Sequence, residues 1–134
     1  MTDLPLIKIL HVDDDPVMRM MTKTALIRSN LGFIVESCAS GKEALDKMAV
    51  FSPDILLIDM LMPIMDGVSF LKEVRTSENL SCAHVPAFFI TGKEAIKISD
   101  RNDLEPVIGI IGKPFSPTKL GQDLLDIWHK FQEK

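Results

Sequence analysis

The stretch that most constrains the fold is Ile55-Leu-Leu-Ile-Asp-Met-Leu-Met-Pro-Ile-Met-Asp-Gly67. Four consecutive large apolar residues, Ile55 to Ile58, lead straight into the carboxylate of Asp59. A short unbroken apolar run bounded by turn residues reads as a strand buried on both faces, as in a parallel sheet covered by helices. Asp59 then stands where a buried strand gives way to a loop. In open α/β sheets that carboxyl edge is where ligands bind. An ionised group beside so apolar a run is costly unless other groups offset its charge.

The remaining pattern fits such a sheet. Leu6–Val12 reads as a first strand ending in Asp13-Asp14-Asp15-Pro16, with Asp15 as N-cap and Pro16 as first helical residue. Val17, Met20, Met21, Thr24, Ile27 and Leu31 have helical spacing and predict the apolar face of the first helix, closed by Gly32. Residues 33–38 predict the second strand. Ser40-Gly-Lys-Glu43 has capping-box spacing ahead of Ala44, Leu45, Met48 and Phe51. A third helix carries Phe70, Leu71 and Val74, and a fourth strand spans 85–90. Thr91-Gly-Lys-Glu94 opens a short fourth helix, Val107–Ile111 is the fifth strand, and Ser116-Pro117 starts a fifth helix bearing Leu120, Leu124, Ile127, Trp128 and Phe131. Five alternating units predict a doubly wound, flavodoxin-like (βα)5 sheet, strand order 2-1-3-4-5, in one domain over residues 1–134 with no effector domain.

Composition excludes several classes. With 46% hydrophobic and 25% charged residues the chain reads as a soluble globular domain. A net charge of −4 with no basic run argues against direct nucleic-acid binding. There is no secretory signal and no stretch long enough to span a bilayer, so a cytoplasmic location is expected. Cys38 and Cys82 lack metal-ligand spacing and read as reduced, packed thiols. His11, inside the first strand, reads as a hydrogen-bonded core histidine, and His84 and His129 read as surface residues.

The polar strand ends converge at one edge: Asp13 and Asp14 after strand one, Asp59 after strand three, Thr91 after strand four and Lys113 after strand five. Three converging carboxylates repel one another without a cation, and an all-oxygen, highly negative set suits Mg²⁺. A carboxylate beside that metal, faced by a lysine and a hydroxyl, is equipped as a nucleophile toward a phosphoryl group.

These residues resemble the response-regulator receiver domain of two-component signalling over essentially the full chain. The resemblance rests on Val12-Asp-Asp-Asp-Pro16 with Arg19, Asp59 followed by Met62-Pro63 and Asp66-Gly67, Thr91 with Gly92, and Lys113-Pro114-Phe115. It implies that Asp59 is the phospho-acceptor and that Asp14 ligates Mg²⁺ directly. It implies that Asp13 holds the metal through water and that the Leu61 carbonyl completes the protein ligands. Lys113 pairs with Asp59 and then with the phosphoryl group, Thr91 moves onto a phosphoryl oxygen, and the Lys113–Pro114 bond is cis. The implied partners are a sensor histidine kinase or phosphotransfer protein and an unnamed output protein. Phosphorylation-linked homodimerisation is compatible with the pattern. The output surface is the fourth helix, fifth strand and fifth helix. Such a chain is a switch with self-catalysed phosphotransfer and slow autodephosphorylation, not a turnover enzyme.

Two departures carry expectations. Ile110 occupies a position where the family often has Tyr or Phe, so side-chain rotation there contributes little to switching, which falls instead to the loop after strand four. Leu61 and Lys93 flank the expected path of the hydrolytic water, which predicts a long-lived phosphoryl group. The competing readings are a phosphorylation-independent binding-only receiver and a Mg²⁺-dependent aspartyl-phosphate phosphatase. The phosphatase reading lacks the second acid it would need at position 61.

Overall fold

A computed structural model describes residues 5–78, 83–92 and 102–133. Its elements in order are β1 (Lys8–Val12), α1 (Pro16–Arg28), β2 (Ile34–Cys38), α2 (Gly41–Phe51) and β3 (Ile55–Asp59). They continue with α3 (Gly67–Thr76), β4 (Ala87–Thr91), a 3-10 turn (Asn102–Leu104), β5 (Val107–Gly112) and α4 (Leu120–Gln132). All strand pairs are parallel, in the order β2-β1-β3-β4-β5. The predicted fourth helix, Lys93 and Cys82 lie outside the described residues, so α4 is the fifth helix of the sequence reading.

The apolar run of β3 follows from serving two cores. Leu56 and Ile58 join Leu10, Val12, Phe70 and Phe89 on the side covered by α2 and α3. Ile55 and Leu57 join Ile9, Phe88, Leu26 and Trp128 on the side covered by α1 and α4. Successive side chains point to opposite faces, and both faces are covered, so every β3 position is buried. Each large side chain removed from water in this way contributes about 1.5–3 kcal/mol.

The helix starts follow their caps. The Asp15 carboxylate accepts from the backbone N–H of Val17 and Met18, Ser40 Oγ from that of Glu43, and Asp66 from that of Ser69. The start of α4 falls later than Ser116-Pro117: the chain first makes a turn in which Lys119 and Leu120 both donate to the Ser116 carbonyl.

The face of α1 differs from the predicted one. Thr22 and Leu26 are its buried residues, whereas Val17 is 60% and Met20 65% exposed, and Met21 and Ile27 also face out. The apolar residues of α1 are spread around the helix, so spacing alone chose the wrong stripe. The helix also ends before Gly32, at Arg28. Ser29 Oγ donates to the Leu26 carbonyl, and Asn30 takes up a left-handed φ of 58°.

A candidate phosphoryl-acceptor site at the carboxyl edge

The topology brings the ends of β1 and β3 side by side, since Val12 pairs with Ile58. Asp13 and Asp59 therefore emerge as neighbours at one edge. Carboxylate oxygens of Asp13, Asp14 and Asp59 all lie within 4.8 Å of one another. Asp13 and Asp59 are buried and Asp14 is exposed, so the cluster opens to solvent on one side. Lys113, at the end of β5, donates from Nζ to Asp59 Oδ1 at 2.9 Å, with Asp59 almost wholly buried and Lys113 partly exposed. The Lys113–Pro114 peptide is cis, as is Glu105–Pro106. Thr91 is buried at the end of β4, one residue beyond Ile90, the β-sheet partner of Asp59. Its carbonyl accepts from the Lys113 N–H at 2.8 Å.

The loop backbones are fixed independently of these side chains. Asp13 N–H donates to the Cys38 carbonyl, Met60 N–H to Ile90, and Gly67 N–H back to Met60, each at 3.0 Å. Arg19 Nη1 donates to the Asp13 carbonyl at 2.8 Å, and the Asp15 N–H to Asp13 Oδ1 at 2.9 Å. Met60 and Met62 are buried beneath the loop. Leu61 and Ile64 are exposed at its rim, and Ile64 adopts a left-handed φ of 69°.

Burial pushes the Asp13 carboxyl up to about 6, with the Asp59 and Asp14 charges adding to the rise and the Asp15 N–H and Lys113 opposing it. His11 lies behind it, fully buried, with Nε2 4.0 Å from Asp13 Oδ2. Burial holds the His11 imidazole down to about 3, helped by the Arg19 and Lys113 charges. Sequence reasoning expected a hydrogen-bonded histidine, but neither ring nitrogen has a partner.

The two shifts act on stability in opposite directions. A base depressed on folding contributes least at low pH, because the unfolded His11 takes up its proton near 6.5 and the folded one does not. The raised Asp13 contributes most below its ordinary value, and that contribution is lost as pH rises through about 6. Between pH 6 and 4 they offset each other in the metal-free protein. Asp13→Asn leaves the His11 loss unopposed, so its denaturation midpoint in urea is expected to fall more steeply over that range than the parent's. Parallel curves for the two proteins would contradict this.

A hard divalent cation fits the donor set. The three carboxylates supply only oxygen ligands, and buried Asp13 Oδ2 makes no hydrogen bond within the protein. Oxygen-only clusters of this kind suit hard cations such as Mg²⁺, Ca²⁺ and Mn²⁺. Among the described residues no helix is long and apolar enough to cross a membrane.

Comparison with known proteins agrees with this fold. The chain is 31% identical over 114 residues to the transcriptional regulatory protein TrcR of Mycobacterium tuberculosis, covering 85% of this chain and 42% of that protein. It is 40% identical over 68 residues to the chemotaxis protein CheY of Bacillus subtilis, covering 51% of this chain and 56% of that one. The chain thus spans about half the length of these curated relatives. Among solved structures, the chemotaxis response regulator CheY4 of Vibrio cholerae superposes with a TM-score of 0.74 at 29% identity, covering 91% of this chain and 98% of that chain. The family model for the response regulator receiver domain matches residues 9–125, and the chain belongs to that family.

Proposed function

We propose that the chain is a phospho-acceptor receiver in which Asp59 takes a phosphoryl group from a histidine kinase or phosphotransfer histidine. The observation that carries this reading is the 2.9 Å pair between Lys113 Nζ and Asp59 Oδ1, set against the converged oxygens of Asp13 and Asp14. An Asp59 oxygen attacks phosphorus, the bond from phosphorus to the donor nitrogen breaks, and the departing imidazole takes up a proton. Asp14, Asp59 and the Leu61 carbonyl would hold Mg²⁺ directly, with Asp13 holding it through water. The metal supplies charge neutralisation at the transferred oxygens. Lys113 turns from the carboxylate to a phosphoryl oxygen. Thr91 donates its hydroxyl to another.

The donor has an apolar approach to this crevice. Met18 and Met21 of α1 line one depression with Lys113, Pro114 and Phe115, and Val17 and Met20 extend the exposed apolar surface. The output surface is β5 and α4 together with the fourth helix expected from the sequence, which lies outside the described residues. On it Ile110 is 53% exposed, and its aliphatic side chain has no ring to rotate inward.

Incubation with Mg²⁺ and acetyl phosphate tests the reading through intact mass. The parent is expected to gain one phosphoryl group, and Asp59→Asn and chelator-treated protein to gain none. No gain by the parent would leave a phosphorylation-independent binding module. Leu61, exposed at the rim, cannot orient a hydrolytic water. Leu61→Asn is therefore expected to shorten the phosphoryl lifetime several-fold, read as decay of the mass shift after the donor is removed. An unchanged decay rate would refute that role.

A further inference from the structure

Six buried side-chain polar atoms among the described residues lack a hydrogen-bond partner. Five of them are His11 Nδ1 and Nε2, Asp13 Oδ2, Thr22 Oγ1 and Ser37 Oγ. They share one face of the sheet. Residues 9, 11 and 13 alternate to the side covered by α1, and Ser37 is the β2 partner of His11 and points the same way. Ile9 and Leu26 belong to one core. His11 lies two strand residues above Ile9, about 6.6 Å, and Thr22 one helical turn above Leu26, about 6 Å along α1. The polar row therefore stands directly behind the acid crevice, on top of an apolar core. Buried polar groups without partners are uncommon in native proteins and call for an explanation.

We propose that His11 is a positioning residue for the metal site: the neutral imidazole carries its proton on Nε2 and donates it to Asp13 Oδ2, fixing the orientation of that carboxylate when Mg²⁺ binds. The inference rests on the reading of Asp13 as part of the Mg²⁺ site. At 4.0 Å the two atoms stand about 1 Å beyond hydrogen-bond distance, and such contacts often tighten only in the loaded state. Asp13 Oδ1 already accepts from the Asp15 N–H, so Oδ2 is the oxygen free to take this bond. With the proton on Nε2, Nδ1 is an acceptor, matching the hydroxyls that Thr22 and Ser37 bring to the same level. The bond from Nε2–H to Oδ2 pairs two of the orphaned atoms and leaves Nδ1 as an acceptor. Partners of this kind orient ligating groups, and losing one typically weakens metal affinity about 10–100-fold.

Mg²⁺ titration calorimetry on the parent, His11→Leu and His11→Gln tests the proposal, with metal-free thermal unfolding measured alongside. Leu fills the site without a donor, and Gln places an amide N–H near the Nε2 position. His11→Leu is expected to bind Mg²⁺ about tenfold more weakly with an unfolding temperature equal to or above the parent's, and His11→Gln to recover within about twofold. Should His11→Leu fail to fold, ¹⁵N spectra of the parent's imidazoles decide: the proton is expected on Nε2, with that resonance shifting at Mg²⁺ saturation. A parent that binds no Mg²⁺ would overturn the metal-site reading itself. A parent that binds normally while His11→Leu matches it, Gln fails as badly as Leu, or the proton sits on Nδ1, would overturn the proposal alone.

Discussion

Lys113→Ala is expected to slow phosphoryl transfer to Asp59 by about 10²–10³, the usual cost of losing one preorganised charge-stabilising donor. Lys113 Nζ stands 2.9 Å from Asp59 Oδ1, so it is already where charge moves as phosphorus leaves its donor. The same substitution leaves Asp59, buried and beside two more carboxylates, without its cation. The metal-free protein is therefore expected to lose about 1–3 kcal/mol of stability, the cost of orphaning a buried polar group, and saturating Mg²⁺ to return most of it. Mg²⁺ affinity itself should hold or rise, because a competing positive charge is gone. Lys113→Arg should not restore the rate, since a planar fork does not replace a compact ammonium at this spacing. Stopped-time intact-mass measurements give the rate and urea unfolding with and without Mg²⁺ gives the stability. Transfer at the parent's rate in Lys113→Ala would remove the lysine from the chemistry.

Gly67→Ala is expected to damage the fold as well, despite lying at the first turn of α3. A Cβ there would stand 2.5 Å from the Asp59 carbonyl oxygen and 3.0 Å from Met60 Cα and Ile58 Cγ2. Two of these obstacles are backbone, and they carry the acceptor. Overpacking of a filled site costs about 1–3 kcal/mol, against which a helical glycine-to-alanine change returns only about 0.5–1 kcal/mol. A net loss of about 1 kcal/mol is expected, with Asp59 displaced and phosphoryl transfer slowed. Gly112→Ala is the matched control: nothing lies within 4 Å of its added Cβ, and its unfolding midpoint should stay near the parent's. Equal unfolding midpoints for Gly67→Ala and the parent would show that the β3–α3 corner has room to yield.

Most of this architecture was legible in the sequence because few physical rules competed. The unbroken Ile55–Ile58 run could only serve two faces, and the capping residues Asp15 and Ser40 accept the bonds their positions demand. The acids and the lysine were legible as strand ends that a parallel sheet must gather at one edge. The face of α1 was not, because Val17, Met20, Met21 and Ile27 are as apolar as Leu26 and only packing against β1 and β2 decides which turn inward. The state of His11 was hidden for a related reason. Its burial follows from its place in β1, but the want of a partner depends on what α1 and β2 bring opposite it. Thr22 and Ser37 are unremarkable in sequence and acquire meaning only from the strand register.

The central claim is that Asp59 is the covalent acceptor, and the most direct measurement is chemical trapping. Protein treated with Mg²⁺ and acetyl phosphate is reduced with borohydride, which converts an aspartyl phosphate to homoserine, and is then mapped by peptide mass. Homoserine at position 59 alone, and none after reduction of protein that never met the donor, is the predicted result. Homoserine at Asp13 or Asp14, or an unreduced Asp59 in protein that has gained a phosphoryl group, would contradict the account.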